Sequence, residues 1–501
     1  MIGFLAHYDY LIDLIGSIIG VLLYVATTHT LQQRRHPAAA LSWMLMFLFL
    51  PLVAIPAYIL FGQRKFKADP AQLLPPWPMR IRGSEANADS AVSSHANVVG
   101  GGGWMSTMLE SLGGAPVRDA QPVSLHGNGA QAEQALWQLV DDAQSRLWVS
   151  TYVLGNDRIG NSLIERLAAK AAAGVDVCLL LDGVGCFFVR HQQLRVLTQA
   201  GGRVARSFPP LRRMLKRQSN FRNHRKMVIA DNDRLWMGGR NFADDYFSGA
   251  DGKDGWDDLS LDCRGDLPRD AAVVFSRDWY WACAEPLDPG ALASYGTAAA
   301  LIGASAAHAQ QPLVRAADPN GATIANQAQL LASGPDQPQD SLQSFLVTAC
   351  YRAQQRILAV TPYLIPDPAL SQAFALAARR GIAVDLLLPR RSNHILADLA
   401  RNRSLRELAS AGVRIWLAPT MNHGKAVVFD DMAMTGSANL DIRSLFLNFE
   451  STLVLYDAQH AAQLATWIST RIKLATRYTA RPASLARDLF EGAVLWLGFQ
   501  L

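Results

Sequence analysis

A constellation that occurs twice constrains this 501-residue chain more than any other feature. The first copy reads His224-Arg225-Lys226, then Asp231, then Gly238-Gly239-Arg240-Asn241. The second reads His423-Gly424-Lys425, then Asp430, then Gly436-Ser437-Ala438-Asn439. Between Lys and Asp both copies are apolar, Met227 to Ala230 and Ala426 to Phe429, as a buried strand requires. A histidine and a lysine two residues apart on an extended chain share one face, so each pair can line a single pocket. One His-x-Lys is a common accident of a surface strand. Two copies with matching downstream Asp and glycine-Asn turns are not.

The repeat extends upstream. Leu147, Trp148, Val149 and Ser150 lead to Thr151-Tyr152, a helical stretch rich in Ala and Leu, Gly174 and the apolar run Val175 to Leu181. Ile357 to Val360 lead to Thr361-Pro362-Tyr363, an Ala-rich helical stretch, Gly381 and the apolar run Ile382 to Leu388. Ala200-Gly201-Gly202-Arg203-Val204 then matches Ala411-Gly412-Val413-Arg414-Ile415. Short strands alternating with helices predict an α/β fold of two pseudo-symmetric repeats facing each other, over 118–285 and 321–480. A linker over 286–320 joins them, and an apolar or amphipathic tail, 481–501, follows.

Two apolar runs open the chain, from about Leu11 to Thr27 and from Ala38 to Phe61, each near the roughly 20 residues of a membrane-crossing helix. No small-residue cleavage site follows the first, so 1–66 reads as a two-helix transmembrane hairpin rather than a signal peptide. Arg34 and Arg35 in the turn against Arg64, Lys65 and Lys67 after it favour, by a narrow count, a cytoplasmic catalytic body. Residues 67–117 turn to Pro, Gly, Ser, Asn and Ala and read as a flexible linker. Five cysteines without a CxxC argue against a zinc ribbon or a disulfide framework.

Phosphodiester transfer needs a nucleophile for phosphorus, a proton donor for the leaving oxygen, and fixed positive charge for the phosphate oxygens. His224 and His423 supply the first two, Lys226 and Lys425 the third, and Asn241, Asn439 and Ser437 add neutral donors to a bound phosphate. No metal and no cofactor is called for, since each histidine is followed by a cation that would repel a divalent ion.

These residues resemble the HKD signature of the phospholipase D superfamily, HxKxxxxD followed by a glycine-rich GSxN turn. The catalytic set it implies is His224, Lys226, Asp231, His423, Lys425 and Asp430, the two aspartates acting structurally. The resemblance further implies a covalent phosphohistidine, with His224 as nucleophile and His423 as general acid and then base; the near symmetry of the copies does not choose between them. It also implies a carboxylate on the second ring nitrogen of each histidine, and Glu450 looks like the partner of His423, Asp258 that of His224. Three departures stand out: Gly239-Arg240 where the second copy has Ser437-Ala438, which brings a guanidinium toward the pocket, Gly424 for the usual alanine, and a spacing from Asp430 to Gly436 one residue shorter than its counterpart.

A two-span hairpin, a linker and two such repeats, the second running through Ser437 to Ser444 and Asn448-Phe449-Glu450, resemble the cardiolipin synthase branch. That resemblance implies phosphatidyl transfer between two phosphatidylglycerols with release of glycerol, in a multi-pass protein of the bacterial inner membrane. The implied partners are phosphatidylglycerol, other anionic phospholipids and the bilayer, with no nucleic acid; the oligomeric state stays open. A mildly basic net charge of +5, the run Arg206, Arg212, Arg213, Lys216, Arg217 and Arg222, and the tail's Leu489, Phe490, Val494, Leu495, Trp496, Leu497 and Phe499 suit a lipid surface. Hydrolysis to phosphatidic acid, nuclease activity and a silent lipid-binding scaffold are the alternatives.

Overall fold

A computed structural model describes residues 13–26, 37–62, 64–65, 103–119, 123–209, 219–249, 255–287, 327–337, 339–487 and 491–492. Its strands, in chain order, are β1 (Arg118–Asp119), β2 (Val123–His126), β3 (Arg146–Thr151), β4 (Asp176–Asp182), β5 (Arg203–Ser207), β6 (Arg222–Asn223), β7 (Met227–Ala230), β8 (Arg234–Gly238) and β9 (Ser260–Arg264). There follow β10 (Gln327–Ser333), β11 (Arg356–Val360), β12 (Leu364–Ile365), β13 (Ala383–Pro389), β14 (Arg414–Ala418), β15 (Ala426–Phe429), β16 (Met432–Gly436), β17 (Leu440–Asp441), β18 (Asn448–Leu455) and β19 (Thr476–Arg477). One large sheet has the order β2-β9-β8-β7-β3-β4-β5 and the other β1-β10-β18-β16-β15-β11-β13-β14-β19, with β6 also on β18, while β12 and β17 form a separate parallel pair. The repeat read from the sequence is this shared pattern: β3 lies parallel to β4 and antiparallel to β7, as β11 does to β13 and β15.

Alternation along these strands buries both faces of each sheet. In β3, Trp148 points into a core shared by the two sheets, while Leu147 and Val149 point away from it. The shared core also holds Ile229 and Met237 of the first sheet, Val428 and Leu453 of the second, and the inward faces of the helices Leu267–Cys283 and Ala458–Ile472. Outer helices cover the far faces: Gly129–Asp142, Arg158–Ala172 and His191–Gln199 on the first sheet, Ser341–Arg352, Pro368–Arg379 and Ile395–Ser410 on the second. Sheets buried on both faces read as continuous apolar runs, which is why the strands were legible.

The boundaries are less clean than the sequence suggests. β1, at the start of the first unit, pairs with β10 of the second sheet. Inside the stretch read as linker, Gly103–Ser111 is a helix whose Met105 and Leu109, four residues apart, are buried in the second half's outer core. Residues 66–102 and 288–326, and the tail residues Leu489, Phe490 and 493–501, lie outside the described residues. Of the tail, Glu491 is buried between Arg406 and Arg487.

The second apolar run is not one helix. Pro51 begins a new helix after Leu50, so Pro37–Phe49 and Pro51–Phe61 are separate helices of 13 and 11 residues. With a helix over 13–26 they form a small cluster around Trp43, Phe47, Ala54 and Tyr58. A Cβ on Gly20 would lie 2.4 Å from the Phe47 ring, so the close packing requires glycine there. Among the described residues no helix is long and apolar enough to cross a membrane.

Candidate active site

Backbone pairing between the halves builds the site. β6, just before the first motif, runs parallel to the start of β18, and the His224 N–H donates to the Phe449 carbonyl at 2.9 Å. Reciprocally, Asp257 of the first half bridges to Asn422, and the His423 N–H donates to the Asp257 carbonyl at 2.6 Å. Each histidine is therefore strapped to the other half, beside the residue that follows its acceptor. Glu450 follows Phe449 and Asp258 follows Asp257. His224 Nδ1 lies 3.0 Å from both carboxylate oxygens of Glu450, and His423 Nδ1 lies 2.6 Å from Asp258 Oδ2. The pairing expected from the sequence, Glu450 with His423 and Asp258 with His224, is thus reversed. Proximity along the chain suggested partners within a copy, whereas the strand pairing exchanges them.

The carboxylates are held differently. Glu450 accepts hydrogen bonds from Ser437 Oγ (2.5 Å), Ser444 Oγ (2.7 Å) and Asn448 Nδ2 (3.3 Å). Ser437, expected to face phosphate, is committed to Glu450 and in turn accepts the Ser451 N–H. Asp258 accepts the Leu259 N–H at 2.7 Å and lies against Gly239, where a Cβ would meet Oδ1 at 2.2 Å. A serine at 239 would collide with it, which accounts for the departure of the first turn from the second. Gly424 has a similar cause: a Cβ there would sit 2.8 Å from the Trp467 ring.

An ionised carboxylate only accepts, so each Nδ1 carries its hydrogen and each Nε2 presents a lone pair. Lys226 Nζ donates to the His224 carbonyl at 2.7 Å. Lys425 Nζ donates to the His423 carbonyl at 2.6 Å and lies against the His423 ring, 2.8 Å from Nδ1 and 3.1 Å from Nε2. Among the described residues no hydrogen bond engages Nε2 of His224. Burial pulls His224 down to about 4 against the opposing charge of Glu450, and Lys226 and Lys425 add to the lowering. Burial and then Lys425 pull His423 to about 3 against Asp258. The same desolvation lowers Lys226 to about 7 and Lys425 to about 8, and outweighs the attraction of both carboxylates. Each histidine feels the lysine of the other copy, so the two motifs share one field.

The remaining expected residues divide. Asn241 accepts the Val153 N–H at 3.1 Å and bonds to Tyr246; Asn439 bonds to Asp441, with its own Oδ1 buried and unpartnered among the described residues. Asp231 and Asp430 sit at the far end of β7 and β15, where each accepts three successive backbone N–H groups, of Gln144 to Arg146 and of Gln354 to Arg356. They belong to the scaffold, not the reacting pocket. Arg240, expected near the pocket, is buried and spends its guanidinium on the carbonyls of His126, Tyr246 and Asp258 and on Ser260 Oγ. Within the basic run, Arg206 bonds the carbonyls of Cys186 and Val189 and Arg222 those of Ser219 and Phe221; Arg212, Arg213, Lys216 and Arg217 lie outside the described residues.

Four neighbours escaped the sequence reading. Tyr152 stands edge-on to His224 with ring centroids 4.9 Å apart, and Tyr246 does the same to His423 at 5.0 Å. Ser444 holds Glu450. Arg225, fully buried between the reactive His and Lys, ion-pairs with Asp278 and donates to the Glu450 carbonyl at 3.1 Å. Tyr152 was signalled by its place directly after β3, and Ser444 by its turn with Asp441, whose carboxylate caps the Ser444 N–H. Arg225 had no signal, because a charge beside two others reads as solvated.

A family described as cardiolipin synthase, PLD-like domain, matches residues 136–252 and 346–472. Cardiolipin synthase A of Pseudomonas putida strain W619 is 30% identical over 483 residues, covering 95% of each chain. Another Pseudomonas putida cardiolipin synthase A is 31% identical over 482 residues, covering 95% of this chain and 94% of the other. Phosphatidylserine synthase of Haemophilus influenzae Rd KW20 shares the fold, with a TM-score of 0.57 at 15% identity over 79% of this chain and 99% of that one.

Proposed function

The chain belongs to the bacterial cardiolipin synthases of the phospholipase D superfamily, and from that membership we infer a phosphatidyltransferase that joins two phosphatidylglycerols through a phosphohistidine at its crossed histidine–carboxylate pairs. Carboxylates on both Nδ1 atoms leave both Nε2 atoms for chemistry, and this is the observation that carries the mechanism. The Nε2 of His224, which no hydrogen bond among the described residues engages, supports it as the nucleophile.

With neutral histidines, the charges of Glu450, Asp258, Lys226 and Lys425 cancel. A phosphodiester arriving between the lysines adds one negative charge, which raises the proton affinity of His423, and its Nε2 takes up a proton from solvent. His224 Nε2 then attacks phosphorus, the bond to the glycerol oxygen breaks, and His423 gives that oxygen its proton. In the second half-reaction the terminal hydroxyl of another phosphatidylglycerol gives its proton to His423 and attacks phosphorus, and the N–P bond breaks. The two lysines stabilise the charge of both transition states. Transfer outcompetes hydrolysis when the acceptor hydroxyl is held better than water.

Membrane attachment is part of the same reading. The helices over 13–26, 37–49 and 51–61 turn Leu14, Ile18, Leu22, Leu41, Leu48 and Leu52 outward, a surface suited to the bilayer of the inner membrane, with the catalytic body in the cytoplasm. The test is to incubate the purified full chain with vesicles of phosphatidylglycerol alone and identify products by mass spectrometry. Cardiolipin with stoichiometric glycerol is the expected result. Phosphatidic acid as the sole product overturns the transferase.

A further inference from the structure

Two loops that the repeat places at equivalent positions carry large apolar side chains into the open. β4 runs parallel to β3 and β13 parallel to β11, so the loops leaving β4 and β13 emerge at the end of each sheet where Thr151 and Thr361 lead into the site. The first exposes Phe187 (57%) and Phe188 (91%); the second ends in the helix Ile395–Ser410, whose first two residues, Ile395 (77%) and Leu396 (72%), are exposed. Exposed neighbouring pairs of this size are unusual on a surface that meets only water.

Both loops are tied to the reacting pocket. Cys186 Sγ bonds the Tyr152 carbonyl at 3.2 Å, and Tyr152 stands against His224. Arg206 braces the same turn through the carbonyls of Cys186 and Val189, so the phenylalanines are presented by an ordered turn. In the second loop, Tyr363 donates to Asn393 Oδ1 at 2.5 Å and lies 5.4 Å from the His394 ring; its raised pKa, owed first to burial, also registers Tyr246 and Tyr152, the rings flanking the two histidines.

The surroundings say what covers these pairs. Around the first pair stand Arg190 and His191, and around the second Arg390, Arg391 and His394, while the nearby carboxylates, Asp182 and Asp398, are spent on backbone N–H groups of the same turns. Apolar tips with basic shoulders match an anionic lipid surface. The N-terminal apolar helices arrive at the same end: Lys65, just past them, pairs with Asp340 at 2.7 Å and with the Gln337 carbonyl, shortly after β10 ends at Ser333 opposite Glu450.

We propose that Phe187 and Phe188 on one side and Ile395 and Leu396 on the other insert into the bilayer surface and seat the mouth of the active site on the membrane, so that a headgroup reaches the histidines without its lipid leaving the leaflet. The inference rests on the substrate being a membrane phospholipid.

The experiment has two readouts. In the full chain, the combined Phe187→Ser, Phe188→Ser, Ile395→Ser and Leu396→Ser variant loses about tenfold or more of its turnover on phosphatidylglycerol vesicles and stays within about twofold of wild type on monomeric short-chain phosphatidylglycerol. Equal loss on both substrates, or no loss on vesicles, overturns the proposal. Separately, on a Cys283→Ser background, Phe188→Cys and Leu396→Cys are labelled with a fluorophore in the vesicle-reconstituted full chain; the other four thiols are buried. Quenching of both by lipids spin-labelled in the upper acyl chain is expected. Absence of quenching at either, including shielding by a second copy of the chain, overturns it. Wild type inactive on both substrates refutes the transferase reading instead, and the quenching still decides the docking.

Discussion

Around His224 the carboxylate is a glutamate on the long strand β18, gripped by two hydroxyls and an amide; around His423 it is an aspartate just before β9, with one backbone N–H and a glycine beneath it. The longer side chain has more freedom and is steadied by Ser437, Ser444 and Asn448. The shorter one is fixed by steric fit against Gly239. Buried arginines repeat the contrast: Arg225 donates to the Glu450 carbonyl and Arg240 to that of Asp258, yet they come from opposite ends of the motif, one between His and Lys and the other in the turn. Duplication thus preserved the histidines, lysines and strand order while each half solved the support of its neighbour's histidine separately.

Removing each histidine sharpens this comparison most. His224→Ala and His423→Ala each lower cardiolipin formation by roughly a thousandfold or more, measured by product mass spectrometry. With a phosphatidyl donor whose leaving group is p-nitrophenol, which departs without a proton, His423→Ala still forms a radiolabelled enzyme intermediate and His224→Ala does not. The opposite pattern exchanges the roles of the halves.

The supports come next. Gly239→Ala drives a methyl into Asp258 and lowers kcat by about a hundredfold, whereas Ser437→Ala removes one of three side-chain donors to Glu450 and lowers it by about tenfold. Equal effects would mean that the two carboxylates are held alike.

The lysines differ in pH response. Productive free enzyme needs both lysines charged and takes up a proton at His423 when substrate binds, so kcat/KM on a soluble short-chain substrate falls as pH rises and falls more steeply above about pH 7, where Lys226 loses its proton before Lys425 does near 8. A profile level from pH 6 to 9 breaks that assignment.

The smallest effects are symmetric. Asp231→Ala and Asp430→Ala each free three backbone N–H groups remote from the reaction, costing about 1–3 kcal/mol in urea unfolding and leaving kcat within about threefold. A large loss of kcat in one alone would give that aspartate a place in the chemistry.

Much of this arrangement was legible because it is local. The strands announced themselves as apolar runs, the His-x-Lys pairs as a spacing, and the duplication as a repeat. Asp231 and Asp430 were read as structural, and each reaches across to the backbone N–H groups that lead into the neighbouring strand, β3 or β11. The carboxylate partners were recognised as residues but exchanged as pairs, and the second apolar run was taken for one span although Pro51 divides it. Ser437 was misassigned because a hydroxyl in a glycine turn looks the same whether it faces a phosphate or a carboxylate.

The sequence by itself determined the members of the candidate site: two histidines, two lysines and two carboxylates, on two α/β units that must meet. Which carboxylate serves which histidine was decided by the tertiary structure, because β6 pairs with β18 and Asn422 with Asp257, contacts between segments more than 160 residues apart. The field that lowers the histidines and lysines has the same origin, since desolvation exists only once the two halves have closed over them.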